Sequence, residues 1–95
     1  MPLEKCPICG KLAKFENPLD HSEQYRCFDC PVCGHFVISL MAEDHLAKFT
    51  IGDRMYYSEK SKEAPEGKVV IIQFLDDGSE ALTIHRYDEK AEWFR

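Results

Sequence analysis

No apolar run in this chain approaches the roughly 20 residues that a membrane-spanning helix needs. None follows the opening Met1-Pro2-Leu3-Glu4-Lys5 either, so no secretory leader is expected. Glycine and proline are scarce, five of each in 95 residues, while 44% of residues are hydrophobic, which argues against a disordered chain. Basic charge is also in short supply: 12 Lys and Arg stand against 17 Asp and Glu, a formal net charge of −5. The deficit is shared, with five against seven in residues 1–50 and seven against ten in residues 51–95. A domain that grips a phosphate backbone normally shows a basic face. Lys5, Lys11, Lys14 and Arg26 could share a face, but Glu4, Glu16, Asp20, Glu23 and Asp29 are interleaved with them. Nucleic-acid binding is therefore the secondary expectation, and a cytoplasmic protein without membrane contact is the primary one.

What the chain does have is a repeated pentapeptide. Cys6–Gly10 reads CPICG and Cys30–Gly34 reads CPVCG. Two cysteines separated by two residues can place both sulfurs on one metal while the backbone between them turns tightly, and the following glycine suits the positive φ such a turn needs. Two knuckles supply four thiolates, the set that a closed structural zinc site uses. The odd cysteine count argues against a complete disulfide framework. A thioredoxin-like redox pair would want a βαβ context, which neither knuckle has. Five cysteines compete for four places, because Cys27, Cys30 and Cys33 form two overlapping pairs. The Cys30 register reproduces the Pro and Gly positions of the first knuckle, whereas Cys27 is followed by Phe28. Residues 23–29 read as a strand with Tyr25, Cys27 and Asp29 on one face. The expected ligands are Cys6, Cys9, Cys30 and Cys33, holding one Zn²⁺ per chain, with Cys27 a small buried strand side chain.

The stretch CPVCGHFVIS, Cys30 to Ser39, resembles the CPxCGxYxIS segment of small bacterial and phage zinc-ribbon proteins. The resemblance covers residues 6–39, about the first half of the chain. It implies a zinc ribbon: knuckle, outgoing strand, returning strand, second knuckle and a third strand. It implies almost nothing about activity, since ribbons serve in many roles. Rubredoxins also carry two CPxCG-like knuckles, and geometry alone does not separate zinc from iron. The ribbon part here has Phe15, Tyr25, Phe28 and Phe36 but no tryptophan, and it continues into a second half that an electron carrier does not need.

Beyond the ribbon, Ser39 can cap a short helix over residues 40–49 whose Ala42, Leu46 and Phe49 share a face. Gly52-Asp53 reads as a break, Met55-Tyr56-Tyr57 as a short strand, and residues 58–67 as a polar loop. Residues 68–75 (KVVIIQFL), the turn Asp76-Asp77-Gly78-Ser79, and residues 80–87 (EALTIHRY) predict a β-hairpin. Strand 68–75 is nearly all apolar, so it is expected at the centre of a three-stranded antiparallel sheet between 80–87 and 54–58. One face should take the helix; the other needs the tail, with Trp93 and Phe94, or a second molecule. The fold class expected is thus a small, zinc-stabilised α+β protein. It comprises a ribbon over 1–39 and a helix plus sheet over 40–95, packed as one unit.

None of the histidines forms a convincing catalytic pattern. His21-Ser22-Glu23 ahead of the cysteines superficially matches the HxE…PCxxC signature of zinc deaminases. Pro31, however, follows Cys30 rather than preceding the pair, and the gap is too short for that fold. His35, beside the second knuckle, is expected at the surface or near a thiolate; His45 and His85 are expected on a helix and a strand surface. The function expected is a non-enzymatic, zinc-binding interaction or adaptor module whose partner is a protein, a second copy of itself included. The alternative is a nucleic-acid-binding accessory.

Overall fold

Each CPxCG pentapeptide closes an antiparallel hairpin. In the computed structural model, which describes residues 3–16, 24–76 and 81–94, β1 (Leu3–Lys5) and β2 (Leu12–Glu16) flank the first knuckle. Strands β3 (Tyr25–Cys30) and β4 (Gly34–Ser39) flank the second. Ser39 ends β4 and starts α1 (Leu40–Leu46): its hydroxyl oxygen accepts from the Ala42 N–H at 3.1 Å, satisfying one of the donors that a helix start leaves open. The capped helix expected from residue 40 is present but ends at Leu46. Thr50 then caps α2 (Ile51–Lys62), accepting from the Asp53 N–H at 3.2 Å. Strands β5 (Lys68–Asp76) and β6 (Ala81–Glu89) follow, and a single 3₁₀ turn over Lys90–Glu92 delivers Trp93.

The six strands form one sheet in the order β1-β2-β3-β4-β5-β6. Every neighbouring pair is antiparallel except β4 and β5, which run parallel with Phe36, Val37 and Ile38 beside Val70, Ile71 and Ile72. Parallel neighbours require a crossover of a dozen or more residues, and α1 and α2 supply it. The expected layout, with a separate three-stranded sheet beyond the ribbon, is therefore corrected. Strand β5 is internal, but its neighbours are β6 and the last ribbon strand. Residues 54–58 belong to α2. The reason lies on the buried side of that helix, where Tyr57, Ser58 and Ser61 face inward. Two serines in three inward positions leave no apolar period for a helix to be read from, while Met55-Tyr56-Tyr57 imitates a strand. Gly52 and Asp53 sit in the first turn of α2, where backbone N–H groups have no intrahelical partner in any case, so they do not break it. Residues 77–79 of the expected hairpin turn, and residue 80 of the expected second strand, lie outside the described residues.

The two faces of the sheet are covered differently. Phe28, Phe36, Ile38, Val70 and Ile72 pack against Ala42 and Leu46 of α1 and Tyr57 of α2. On the opposite face Cys27, Val37, Val69 and Ile71 are closed by Trp93, with Tyr25 and Phe94 at the margin. The tail thus covers the second face of β5. Trp93 is 2% exposed. It meets Tyr25 edge-on at 5.3 Å, and its indole N–H donates to Asp88 Oδ2 at 3.2 Å. Arg26 fastens α1 to the N-terminal strands. Its guanidinium makes a two-pronged contact with Glu43 (Nε to Oε2 2.9 Å, Nη2 to Oε1 2.5 Å), pairs with Glu4, and lies over the Phe15 and Phe28 rings.

Trp93 is the sole tryptophan, so its fluorescence reports on the tail directly. Trp93→Ala should cost about 3–5 kcal/mol of stability in denaturant titrations, the range for truncating a fully buried large aromatic. Deleting residues 88–95 should expose Val69 and Ile71 and give a protein that binds a hydrophobic dye. A dye-negative truncation of unchanged stability would show that the tail is not the cover.

Candidate metal centre

The knuckles lie at the same end of the sheet because β1 and β3 run up to them and β2 and β4 run away. In the first, the Cys6 N–H donates to Lys11 O at 2.7 Å and the Gly10 N–H donates to Cys6 O at 2.9 Å. In the second, Cys30 stands opposite Gly34 as the last pair of the β3–β4 ladder, and the Val32 N–H points at Cys30 Sγ from 3.4 Å. Gly10 and Gly34 have φ of +81° and +82°. That conformation strains any residue with a Cβ, which accounts for the glycine at the same place in both repeats.

The four sulfurs of Cys6, Cys9, Cys30 and Cys33 lie within 4.8 Å of one another. The close pairs bridge the knuckles: Cys6 to Cys33 at 3.9 Å and Cys9 to Cys30 at 3.4 Å. A tetrahedron with metal–sulfur bonds of about 2.3 Å has edges of about 3.8 Å, so the donor set fits a single metal ion. All five cysteines are free thiols, and Cys6, Cys30 and Cys33 are buried while Cys9 is partly exposed. Ile8, Ala13, Phe28 and Phe36 belong to the same core cluster as the sulfurs.

Electrostatics disfavours the ionised form of this cluster when no cation is bound. The contact with Cys33 and then burial push the Cys6 thiol well above its ordinary range, while N–H groups of Cys9 and Ile8 pull the other way. Burial is the main cause of the rise at Cys9, opposed by the Lys11 N–H. Sulfurs this close cannot all ionise without a counter-charge. A divalent ion bound by Cys6, Cys9, Cys30 and Cys33 would reverse the balance and favour the deprotonated thiols.

Cys27 stands apart from the quartet. It is three residues before Cys30, an odd spacing that places the two on opposite faces of β3. It is fully buried in the Trp93 cluster, with its thiol 3.4 Å from Trp93 O. Burial pushes its pKa from 9.0 to about 12.

His35 also faces away from the sulfurs. Its ring lies between Asp29 (Nε2 to Oδ2 3.6 Å) and Lys90 (Nδ1 to Nζ 3.2 Å), edge-on to Phe94, and burial lowers its pKa. His45 is held by Thr83 Oγ1 at 2.5 Å between the Phe49 and Phe74 rings. His85 lies among Tyr56, Tyr57 and Tyr87. The motif His21-Ser22-Glu23 falls outside the described residues. The candidate cations do not form one face: Lys14 stands beside Asp29 in the sheet, whereas Arg26 is turned towards α1.

The sequence reading missed Ser61. Its hydroxyl lies 2.7 Å from Cys33 O and 2.9 Å from His35 O, so α2 clasps the second knuckle from behind. A serine within a polar segment carries no signal of such a role; only the packing of α2 shows it.

Cys6→Ser and Cys33→Ser should each abolish stoichiometric metal binding, followed by the absorption of added cobalt, while Cys27→Ala keeps it. Cys27 also sets a pH dependence. Its folded pKa exceeds the unfolded value, so the stability it contributes is complete below about pH 9 and lost as pH rises towards 12. Cys27→Ala should flatten the decline of the melting temperature over that alkaline range. Metal binding has the opposite sign, because the thiols of Cys6 and Cys9 must lose protons, and the ion should be released on acidification.

No protein-family model, curated protein or solved structure matches this chain.

Proposed function

We propose that this protein is a zinc-stabilised, non-enzymatic interaction module of the cytoplasm. The observation that carries the reading is the four-sulfur set: Cys6, Cys9, Cys30 and Cys33 supply every corner of a tetrahedron within 4.8 Å. A catalytic zinc keeps one position open for water or substrate, and four thiolates fill it. Zinc is the ion of choice for a site whose work is to hold a fold, with a single iron the competing occupant. The ribbon resemblance of residues 6–39 agrees with this role. Five free thiols suit a reducing compartment. Among the described residues no helix is long and apolar enough to cross a membrane.

An adaptor needs a stable surface, and the metal supplies stability where so few residues cannot. A chain of 95 residues buries a modest fraction of its surface, and ligation at one end of the sheet closes the two hairpins that apolar contacts alone would hold weakly. A protein partner suits the surface better than nucleic acid does. The net charge is −5, and Arg26, the most embedded of the ribbon cations, is already engaged by Glu4 and Glu43.

Elemental analysis of the purified protein should find one zinc per chain. The cobalt-substituted form should show a tetrathiolate spectrum that cyanide or azide leaves unchanged; a shift would mean an open site and an enzyme. Electrophoretic mobility of DNA or RNA should not change at low salt. Retardation that weakens steeply as salt is added would replace a protein partner with a nucleic acid.

A further inference from the structure

Strand β6 is the outermost strand of the sheet among the described residues. It runs for nine residues, against three for β1 at the other edge. A long edge presents a row of backbone donors and acceptors to any strand that can lie beside it. Here the row is flanked by side chains suited to a neighbour. On the helix side of the sheet, Tyr56 and Tyr87 are 47% and 37% exposed and are joined through the His85 ring. On the opposite side, Arg86 Nη1 donates to Asp88 Oδ2 at 3.1 Å. That carboxylate is held in place by the Trp93 indole.

The order of charges along β6 distinguishes its possible neighbours. When a strand pairs antiparallel with a copy of itself, residues on the same face must meet, so a residue lies on the two-fold axis. An axis at Arg86 or at Asp88 sets like charge against like charge, which is destabilising. An axis at His85 sets Ile84 opposite the partner's Arg86 and Leu82 opposite the partner's Asp88. An axis at Ile84 sets Arg86 opposite the partner's Leu82, and one at Thr83 carries both Arg86 and Asp88 past the end of the partner's strand. An axis at Tyr87 differs from all of these. It sets Arg86 opposite the partner's Asp88 and His85 opposite the partner's Glu89, whose carboxylate also pairs with Lys68 of its own chain, and each pair occurs twice by symmetry. Tyr87 meets the partner's Tyr87 at the centre. We propose that β6 pairs antiparallel with β6 of a second copy across a two-fold axis at Tyr87, extending the sheet through the dimer.

The existing Arg86–Asp88 contact becomes part of a network of two guanidinium and two carboxylate groups on one face, while the tyrosines fill the other. Asp88 is already fixed by the Trp93 indole, so little side-chain freedom is lost on pairing. Tail closure and dimer formation are therefore linked through one carboxylate. The inference deepens the reading as an interaction module by naming the partner as this chain itself. A monomer would overturn the pairing while leaving the zinc scaffold to its own metal tests.

Sedimentation equilibrium of the full-length, metal-loaded protein should show a concentration-dependent dimer. Arg86→Asp and Asp88→Arg should each weaken it at least about tenfold through like-charge opposition. Mixing the two variants should restore dimers, because every cross-strand pair is then opposite in charge. Since Asp88→Arg removes the acceptor of the Trp93 indole, Tyr87→Cys gives an independent readout. On mild oxidation of the metal-loaded variant it should form a disulfide-linked dimer, position 87 being the one that meets itself. A wild-type monomer up to about 1 mM would overturn the proposal. So would a dimer indifferent to both reversals, or one in which Tyr87→Cys stays unlinked.

Discussion

Strand β4 is the piece on which the rest of the structure depends. Its first residue, Gly34, closes the second knuckle with a positive φ, and its last, Ser39, caps α1. Between them Phe36 and Ile38 enter the core under the helices, and Val37 enters the one under Trp93. All three are fully buried. Six consecutive residues therefore connect the metal end, the helical layer and the tail. The parallel contact with β5 makes this possible. It places β4 inside the sheet, with apolar residues required on both faces, and obliges the chain to travel through α1 and α2 before returning.

The four-cysteine cluster and the apolar core are not independent parts of the structure. Ile8, Phe28 and Phe36 belong to the same buried cluster as the sulfurs, and Ser61 ties α2 to the carbonyls of Cys33 and His35. Burial raises the cost of ionised thiols in the empty site and strengthens their attraction for a cation in the filled one. The same low-polarity surroundings thus make the metal-free cluster unfavourable as thiolates and the loaded one firm. A bound ion would order the knuckles; the second knuckle fixes the start of β4, and β4 carries that order into the helical layer.

Charge plays a secondary, positional part. Arg26 bridges β3, β1 and α1 through Glu4 and Glu43 and is stacked on two phenylalanines. The charges of β6 differ in that they lie at an edge, where their order along the strand can discriminate between neighbours. The four clustered cysteines and the β6 edge, outermost among the described residues, lie on different parts of the molecule.

Chain-local features were legible without a structure. The two pentapeptides identified the four clustered cysteines, because the spacing and the glycine are local requirements of a knuckle. Cys27 was separable from them because it is followed by Phe28 and lacks the proline and glycine that mark both knuckles. Ser39 as a helix cap and the apolar run at 68–75 were equally clear, as was the need for cover on both its faces, since each follows from local hydrogen bonding or from burial. What only the tertiary structure decided is which strand lies beside which. Helix α2 hides its identity behind Ser58 and Ser61, both buried, the second through its hydrogen bonds to Cys33 O and His35 O rather than through hydrophobicity. The parallel β4–β5 pairing leaves no mark that an antiparallel neighbour would not also leave. Backbone ladders take side chains of any kind, so the order of strands is set by the whole core closing at once.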